Sequence, residues 1–407
     1  MRRWWLGPCV AAALLVAAAP APARAQSGEM PSHEDERRFA IGGDLGITIA
    51  PADTRTYFNY TSYDEDALRQ ARLQLYGEWH LRRDLSIVGE LRTENLAAIR
   101  ASALYLRWQP EAVRHLSIQI GRIPPVIGAF ARRAYSRDNA VLGLPLAYQY
   151  LTALRPDALP DVTSDLLAMR GRGWQPAYPS GSTEIRPGVP LIAGSTWDTG
   201  AEANWTRRWL DLSGAITLGS PADPRVIDTN RDLMWSGRAA ATLPGGVIVG
   251  VSGARAGWIA DDALRLTPSG LDTPHAQAVV GADAEFGVGR WLVRAEWLRS
   301  SFDVPFVLSS DPVQRLTAQS GFIEGRIKLH PRVQIGVRVD RLAFSRLIDP
   351  LTATSITWDA NVDRIEGVLG VRLSRNLEIR GGWQENRREA PRGGRRGLPM
   401  AGLLYWF

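Results

Sequence analysis

Arginine supplies most of the chemistry that the side chains of this chain could perform. The chain has 48 lysine and arginine residues, and Lys328 is the single lysine. Several arginines gather near the start of a long, proline- and aspartate-rich segment: Arg122, Arg132, Arg133, Arg137 and, further on, Arg155. A guanidinium group is a planar fork of donors that matches a carboxylate or a phosphate. The segment therefore predicts an anion-binding surface, if the fold brings these residues together.

The other reactive residue types form no pattern typical of an enzyme. The five histidines show no metal-ligand spacing, and His80, the one with plausible inward parity, has no neighbouring nucleophile. We therefore expect no catalytic residue, no metal site and no cofactor. The arginine-rich tract 387–397 lies between two predicted strands and is interpreted as a basic surface loop, so we expect no nucleic-acid partner.

The N-terminal residues are typical of an export signal. Arg2 and Arg3 precede an apolar run over residues 10–19, and Ala23-Arg24-Ala25 fits a cleavage site. The run is too short for a transmembrane helix. We expect residues 1–25 to be a cleaved signal peptide, followed by a polar periplasmic leader over residues 26–38. Cleavage also removes Cys9, so the exported protein would contain no thiol.

From residue 39 onwards, apolar and polar residues alternate with the period of a β-strand. The clearest hairpin has residues 323–329 and 333–339 on either side of His330-Pro331-Arg332, with one apolar face and one charged face. In a soluble sandwich the apolar face would form the core. In a transmembrane barrel it would face lipid, with the charged face lining water. The barrel interpretation predicts that Val337 faces lipid and that Arg338 faces water.

Short turns and longer connections alternate along the chain. The seven short turns fall at residues 81–84, 109–114, 206–209, 243–246, 287–290, 329–332 and 374–376. The eight longer connections fall at 51–66, 93–97, 123–196, 219–230, 258–274, 301–314, 342–359 and 385–398. This spacing predicts an all-β fold over residues 39–407, a transmembrane antiparallel β-barrel of about sixteen strands that closes because hydrocarbon does not tolerate an open sheet edge. Short turns would be periplasmic and long loops extracellular.

Aromatic residues occur beside the predicted short turns and at the C-terminus, which predicts a periplasmic girdle: Trp79, Trp205, Trp209, Trp291, Tyr405 and Phe407. Trp297, with the same parity as Trp291, is a candidate for the opposite girdle. The last strand alternates and ends on Phe407, and so resembles the final strand of bacterial outer-membrane barrels, which the assembly machinery recognises.

A barrel of sixteen strands is too wide for side chains to fill. The inward positions carry both signs of charge, and the arginines among our pore candidates are Arg72, Arg92, Arg294, Arg338, Arg372 and Arg380. The third long connection, 123–196, far exceeds an ordinary loop. Either it folds into the lumen, where its arginines would form a constriction that favours anions, or it is an extracellular lid whose arginines meet solvent or lipopolysaccharide phosphates.

Two segments carry a family resemblance: residues 67–77 (ALRQARLQLYG) and 116–125 (LSIQIGRIPP). They are similar to the early strands of the phosphate-selective porin O/P family, over roughly residues 67–130. The chain lacks the lysines of that family's constriction. The resemblance implies an outer-membrane porin for passive diffusion of small, anionic solutes, in contact with outer-membrane lipid and lipopolysaccharide, with a homotrimer as a candidate assembly. The alternative is a plugged structural or ligand-binding barrel that acts as a scaffold or adhesin.

Overall fold

The computed structural model of the chain describes residues 38–53, 55–58, 70–94, 99–113, 115–130, 137–194, 197–309, 313–389 and 393–407. The expected signal peptide, residues 26–37 of the expected leader, and the pore candidates Arg132 and Arg133 lie outside the described residues. Among the residues described, no helix is both long and apolar enough to cross a membrane.

The described residues form twenty strands and three short α-helices. The strands are β1 Phe39–Ile49, β2 Gln70–Arg82, β3 Leu85–Glu94, β4 Arg100–Trp108, β5 Leu116–Ile123, β6 Ala158–Leu159, β7 Ser180–Gly181, β8 Asp198–Arg207, β9 Leu210–Thr217, β10 Met234–Thr242, β11 Val247–Gly257, β12 Ala276–Val288, β13 Trp291–Pro305, β14 Val313–His330, β15 Val333–Phe344, β16 Arg346–Ile348, β17 Ser355–Thr357, β18 Val362–Arg372, β19 Leu377–Arg388 and β20 Gly394–Trp406. The helices are α1 Leu146–Gln149, α2 Thr163–Ala168 and α3 Asp261–Leu264.

Sixteen of these strands form one closed antiparallel barrel, in which β1 pairs with β20 to complete the ring. The other four form two small sheets inside connections, β6 with β7 and β16 with β17. The prediction of sixteen strands is confirmed. The predicted hairpin is also confirmed, because β14 and β15 are joined through Pro331 and Arg332, with Glu324 opposite Arg338.

Two of the predicted connections are shorter than expected. Strand β13 continues to Pro305 and β14 begins at Val313. Likewise, β19 continues to Arg388 and β20 begins at Gly394. Backbone pairing continues past the apolar band into positions where outward side chains are polar, so the apolar signal ends before the strand does. Residues 387, 388 and 394–397 of the basic tract are therefore strand, and the interpretation of the tract as a loop is wrong for them.

The outer surface of the barrel is apolar along its middle. Val337 and Val339 on β15 are 43% and 54% exposed there, and Ile365 on β18 is 51% exposed. Aromatic side chains are exposed near the short turns: Trp79, Trp209, Trp291, Tyr405 and Phe407. Soluble proteins rarely expose an apolar surface this large. The exposed apolar side chains of the alternating pattern therefore face lipid, and they do not form the core of a soluble sandwich.

The hydrophobic core lies inside the barrel. Residues of the third connection, among them Phe130, Leu146 and Tyr148, belong to one buried cluster with inward side chains of the wall such as Phe322 and Leu342. The ring of Phe130 packs edge-on against that of Phe322, with centroids 5.8 Å apart. Residues 127–130 and 138–150 of this connection are thus folded into the lumen, and the interpretation as an outlying lid is wrong for these residues.

Candidate functional site

The candidate site is the lumen between the third connection and strands β12–β19. On β13, β14, β15, β18 and β19 the even-numbered residues point inward, and on β12 the odd-numbered ones do, since the residues of the other parity are exposed on the outer face. The inward charged residues are Asp283, Glu285, Arg294, Glu296, Glu324, Arg326, Lys328, Arg338, Asp340, Arg364, Glu366, Arg372, Glu378, Arg380 and Arg388.

Strand register places most of these charges in pairs. Glu324 and Arg338 are directly opposite across β14 and β15, and the Arg338 Nε lies 3.0 Å from the carboxylate. Asp340 and Arg364 are opposite across β15 and β18, 2.6 Å apart. Arg294 and Glu285 are opposite across β13 and β12, 2.9 Å apart. Two further pairs do not come from direct register: Arg380 with Glu378 of the same strand at 2.6 Å, and Asp283 with Arg238 of β10 at 2.5 Å. The mixed signs of the wall therefore largely cancel within the wall itself.

Carboxylates of the wall also accept hydrogen bonds from the backbone of the third connection. Glu366 accepts from the N–H groups of Leu142 and Gly143, both at 2.8 Å, and Asp340 accepts from that of Leu146 at 2.7 Å. Charge-assisted bonds of this kind are stronger than neutral ones. The connection is thus held by its main chain to β15 and β18.

Glu296 on β13 forms a third anchor. It accepts hydrogen bonds from the N–H groups of Ala129 and Phe130, at 2.6 and 3.1 Å, and from the hydroxyl of Tyr148 at 2.5 Å. Burial, and secondarily the negative charge of Glu296, raise the pKa of Tyr148 well above its usual value. The phenol therefore stays protonated and remains a donor.

Arginines of the wall complete the attachment by donating to carbonyl oxygens. Arg338 donates to the Gly143 carbonyl and the Asn139 side chain, each at 2.7 Å, and Arg380 donates to the Asn139 carbonyl at 2.9 Å. Arg294 donates to the Asp138 carbonyl at 2.7 Å. These three pore candidates point inward as predicted. However, Arg338 is only 1% exposed and Arg380 is 6% exposed, so the prediction that Arg338 faces water is wrong: a backbone segment covers it.

Two glycines let the connection approach the wall closely. A Cβ atom on Gly336 of β15 would lie 2.0 Å from the carbonyl oxygen of Ala140, and one on Gly402 of β20 would lie 2.6 Å from the side chain of Leu142. At Gly336 the opposing atom belongs to the backbone, which cannot rotate away. Glycine at this position is therefore part of the docking surface.

Gly336→Ala is expected to push residues 138–143 away from the wall and to cost about 1–3 kcal/mol, as overpacking does. Gly367→Ala is the matched control, since a Cβ there meets no atom within 4 Å. Limited proteolysis of the folded barrel should cut the third connection faster in Gly336→Ala than in the control. Equal cutting rates would contradict the tight contact.

A basic cluster lies at the short-turn end of the lumen, formed by Arg137, Arg326, Lys328 and Arg372. The guanidinium groups of Arg137 and Arg372 lie over the ring of Trp406, 5.2 and 5.5 Å from its centroid. Lys328 lies near enough to Arg326 and Arg372 to interact with both charges. The charges of Asp138 and Glu324 attract Arg326, while those of Arg294 and Arg380 repel it. Within the described residues, no member of this basic cluster forms an ion pair with a carboxylate.

The remaining pore candidates that the structure describes do not join this cluster. Arg72 on β2 and Arg92 on β3 point inward on another part of the wall, and both are buried. Arg155 is buried within the third connection, where it pairs with Asp157 at 2.9 Å. The positions of Arg132 and Arg133 lie outside the described residues.

Arg122 was wrongly placed in the pore. Its register partner on β4 is Leu104, which is 57% exposed on the outer face. The side chain of Arg122 donates instead to the carbonyls of Ala101, at 2.6 Å, and Trp197, at 3.0 Å. The alternation of Ile118, Ile120 and Arg122 already indicated this face.

Sequence reasoning missed Asp359, which ties the third connection to the one before β18. This buried carboxylate accepts from the N–H groups of Ala153 and Gly171, both at 2.8 Å, and from the Tyr150 hydroxyl at 3.1 Å. One aspartate within a polar connection gives no signal in the sequence. Sequence reasoning also left Arg326 and Lys328 out of the pore candidates, although a signal for them was present in the sequence: their inward parity can be counted from the hairpin.

A cavity of about 910 Å³ opens at the long-connection end, between the third connection and those that follow β9 and β11. Arginine–aspartate pairs line it, among them Arg225 with Asp223 at 3.1 Å and Arg231 with Asp261 at 3.2 Å. Its charges are therefore nearly balanced, unlike those of the basic cluster at the other end.

Several solved outer-membrane proteins have a similar barrel. OmpT of Vibrio cholerae, folded in vitro, aligns with a TM-score of 0.54 at 8% identity, over 91% of this chain and 97% of that one. The anion-selective porin from Comamonas acidovorans gives 0.55 at 9% identity, over 91% and 99%. The outer-membrane channel DcaP of Acinetobacter baumannii gives 0.52 at 12% identity, over 91% and 97%. No protein-family model and no curated protein sequence matches. At such low identity the likeness concerns the fold: this chain has the closed-barrel fold of outer-membrane porins.

Proposed function

We propose that the chain is an outer-membrane porin, a water-filled channel for passive diffusion of small solutes that is narrowed by the third connection. The observation that carries this proposal is the docking of that connection onto the inner wall of a sixteen-stranded barrel through Glu296, Asp340 and Glu366. Barrels of this size have room for an aqueous channel. The anion-selective porin and the channel DcaP share the fold, which is consistent with the proposal.

The basic cluster supports a preference for anions. Inward arginines such as Arg338 and Arg364 are neutralised by the carboxylates of Glu324 and Asp340. In the described part of the chain, no such pair is formed by Arg137, Arg326, Lys328 or Arg372. A region of one sign between low-dielectric walls concentrates ions of the opposite sign. Arg132 and Arg133 remain a proposed addition to this positive field. The resemblance to phosphate-selective porins stays a prediction.

Arg326→Gln combined with Lys328→Gln is expected to lower the ratio of anion to cation permeability, by about tenfold at low salt. The effect should shrink as salt rises, because the Debye length falls from about 30 Å at 0.01 M to about 3 Å at 1 M. The measurement is the zero-current potential of single channels in a planar bilayer under a KCl gradient.

The control for this experiment is Arg255→Gln combined with Arg299→Gln, which removes two positive charges from the outer face. It should leave the zero-current potential unchanged. An unchanged potential in the Arg326 and Lys328 variant as well would contradict the anion preference, while a conducting channel would still support the porin.

The second candidate function is a plugged barrel that acts as a scaffold or adhesin. It is favoured by the apolar cluster at the long-connection end, in which Phe302 and Leu342 of the wall and Phe306 and Trp358 of the connections are fully buried. A folded protein that inserts into bilayers without conducting would support this function and overturn the porin.

The proposed setting is the bacterial outer membrane, reached after cleavage of residues 1–25. The proposed partners are small anionic solutes, outer-membrane lipid, lipopolysaccharide, the assembly machinery that reads the C-terminal strand, and further copies of the chain in a homotrimer. A role without catalysis fits this proposal, because diffusion requires none.

A further inference from the structure

Charged residues form a row on the outer face of four successive barrel strands. Strand register places Arg341 of β15 opposite Asp363 of β18, Asp363 opposite Arg387 of β19, and Arg387 opposite Arg395 of β20. Direct partners in an antiparallel sheet have Cβ atoms about 5 Å apart. We call these four residues the outer charged row.

The outer charged row contains an arrangement that is unfavourable by itself. Arg387 and Arg395 have like charges and are direct cross-strand partners, which destabilises a sheet. Arg395 has Glu385 at 2.6 Å and Arg341 has Asp363 at 3.6 Å, whereas Arg387 forms no ion pair among the described residues. The two existing pairs are exposed and therefore weak. An anion bound between the guanidinium groups would relieve the repulsion.

The position of the row indicates where that anion resides. On β15, the outward residues Val333, Ile335, Val337 and Val339 precede Arg341, which is about 26 Å from Val333 along the strand. That length is close to the apolar band of about 25 Å in outer-membrane barrels. Trp297, on the outer face of β13, is directly opposite Gly321 of β14, and Gly321 is in turn opposite Arg341 of β15. Exposed tryptophan is typical of the membrane interface. The row thus lies where hydrocarbon gives way to headgroups, at the long-connection side.

We propose that Arg387 and Arg395 bind a phosphate group of lipopolysaccharide in the outer leaflet, with Arg341 adding positive charge further along the same row. Arginine forks match phosphate oxygens in geometry and charge, and the apolar face below the row would contact the acyl chains of the same molecule. This inference rests on the proposed outer-membrane location. It adds a lipid-binding site on the outer wall that is separate from the lumen.

The test uses the full-length mature protein in detergent, titrated with fluorescently labelled lipopolysaccharide and followed by anisotropy. Arg387→Gln combined with Arg395→Gln should weaken binding by about thirtyfold, since each arginine near an anionic lipid surface contributes about fivefold. The matched control is again Arg255→Gln combined with Arg299→Gln, which removes the same charge from the outer face elsewhere. This control variant should bind lipopolysaccharide as tightly as the unmodified protein does. Dephosphorylated lipopolysaccharide should bind weakly to the unmodified protein and to the control variant.

Three results would overturn the inference. Equal weakening in both variants would indicate unspecific attraction, tight binding of the dephosphorylated lipid would exclude a phosphate contact, and displacement by millimolar inorganic phosphate would assign the row to a free anion. Conductance separates this inference from the proposed function. A barrel that conducts but binds no lipopolysaccharide overturns the inference alone, whereas a barrel that binds it without conducting overturns only the porin.

Discussion

Arg338→Ala is expected to release the third connection from the barrel wall, at a cost of about 3–5 kcal/mol. The substitution leaves the Glu324 carboxylate buried without its main partner and removes the donor to the Gly143 carbonyl and the Asn139 side chain. We expect the barrel itself to assemble, because β14 and β15 remain paired along their length. The measurements are the free energy of urea unfolding and the protease protection of residues 137–152.

The control for this prediction removes both charges. Arg338→Met combined with Glu324→Gln leaves no buried charge of that pair and should cost clearly less than Arg338→Ala, since breaking a buried pair is worse than replacing it. A double-mutant cycle built on Arg338→Met, Glu324→Gln and their combination isolates the coupling. Unchanged protease protection in Arg338→Ala would contradict the role of this arginine as an anchor.

Val337→Arg is expected to destabilise the barrel by about 2–4 kcal/mol if the site is near the bilayer midplane. Val337 is the residue before Arg338, and its side chain points to the opposite, lipid-facing side. The measurement is the free energy of unfolding in lipid vesicles, supported by the heat-dependent shift in gel mobility. Val337→Leu, which keeps the apolar surface, should change neither. Equal tolerance of arginine and leucine would mean that this face of β15 meets water.

Val337 and Arg338 are neighbours in the chain, yet local sequence determines the surroundings of only the first. The direction of Val337 follows from the sequence, because alternation and the turn at Pro331 are local properties of the chain. The same local properties predicted the strand count, the short turns and the inward direction of Arg294 and Arg380. They could also have excluded Arg122 from the pore, since it follows Ile118 and Ile120 at outward parity.

What covers an inward side chain was decided by tertiary structure. Parity states that Arg338 points inward but not whether it meets water or protein, and its carbonyl partner at Gly143 is 195 residues away along the chain. The same holds for Glu366, which accepts from Leu142, and for Gly336, whose missing side chain matters only because Ala140 lies against it. The sequence by itself determined the barrel and the two faces of its wall, because strand period and turn chemistry act between near neighbours. Only the tertiary structure decided that wall charges hold a docked segment, because such contacts join residues that no local pattern relates.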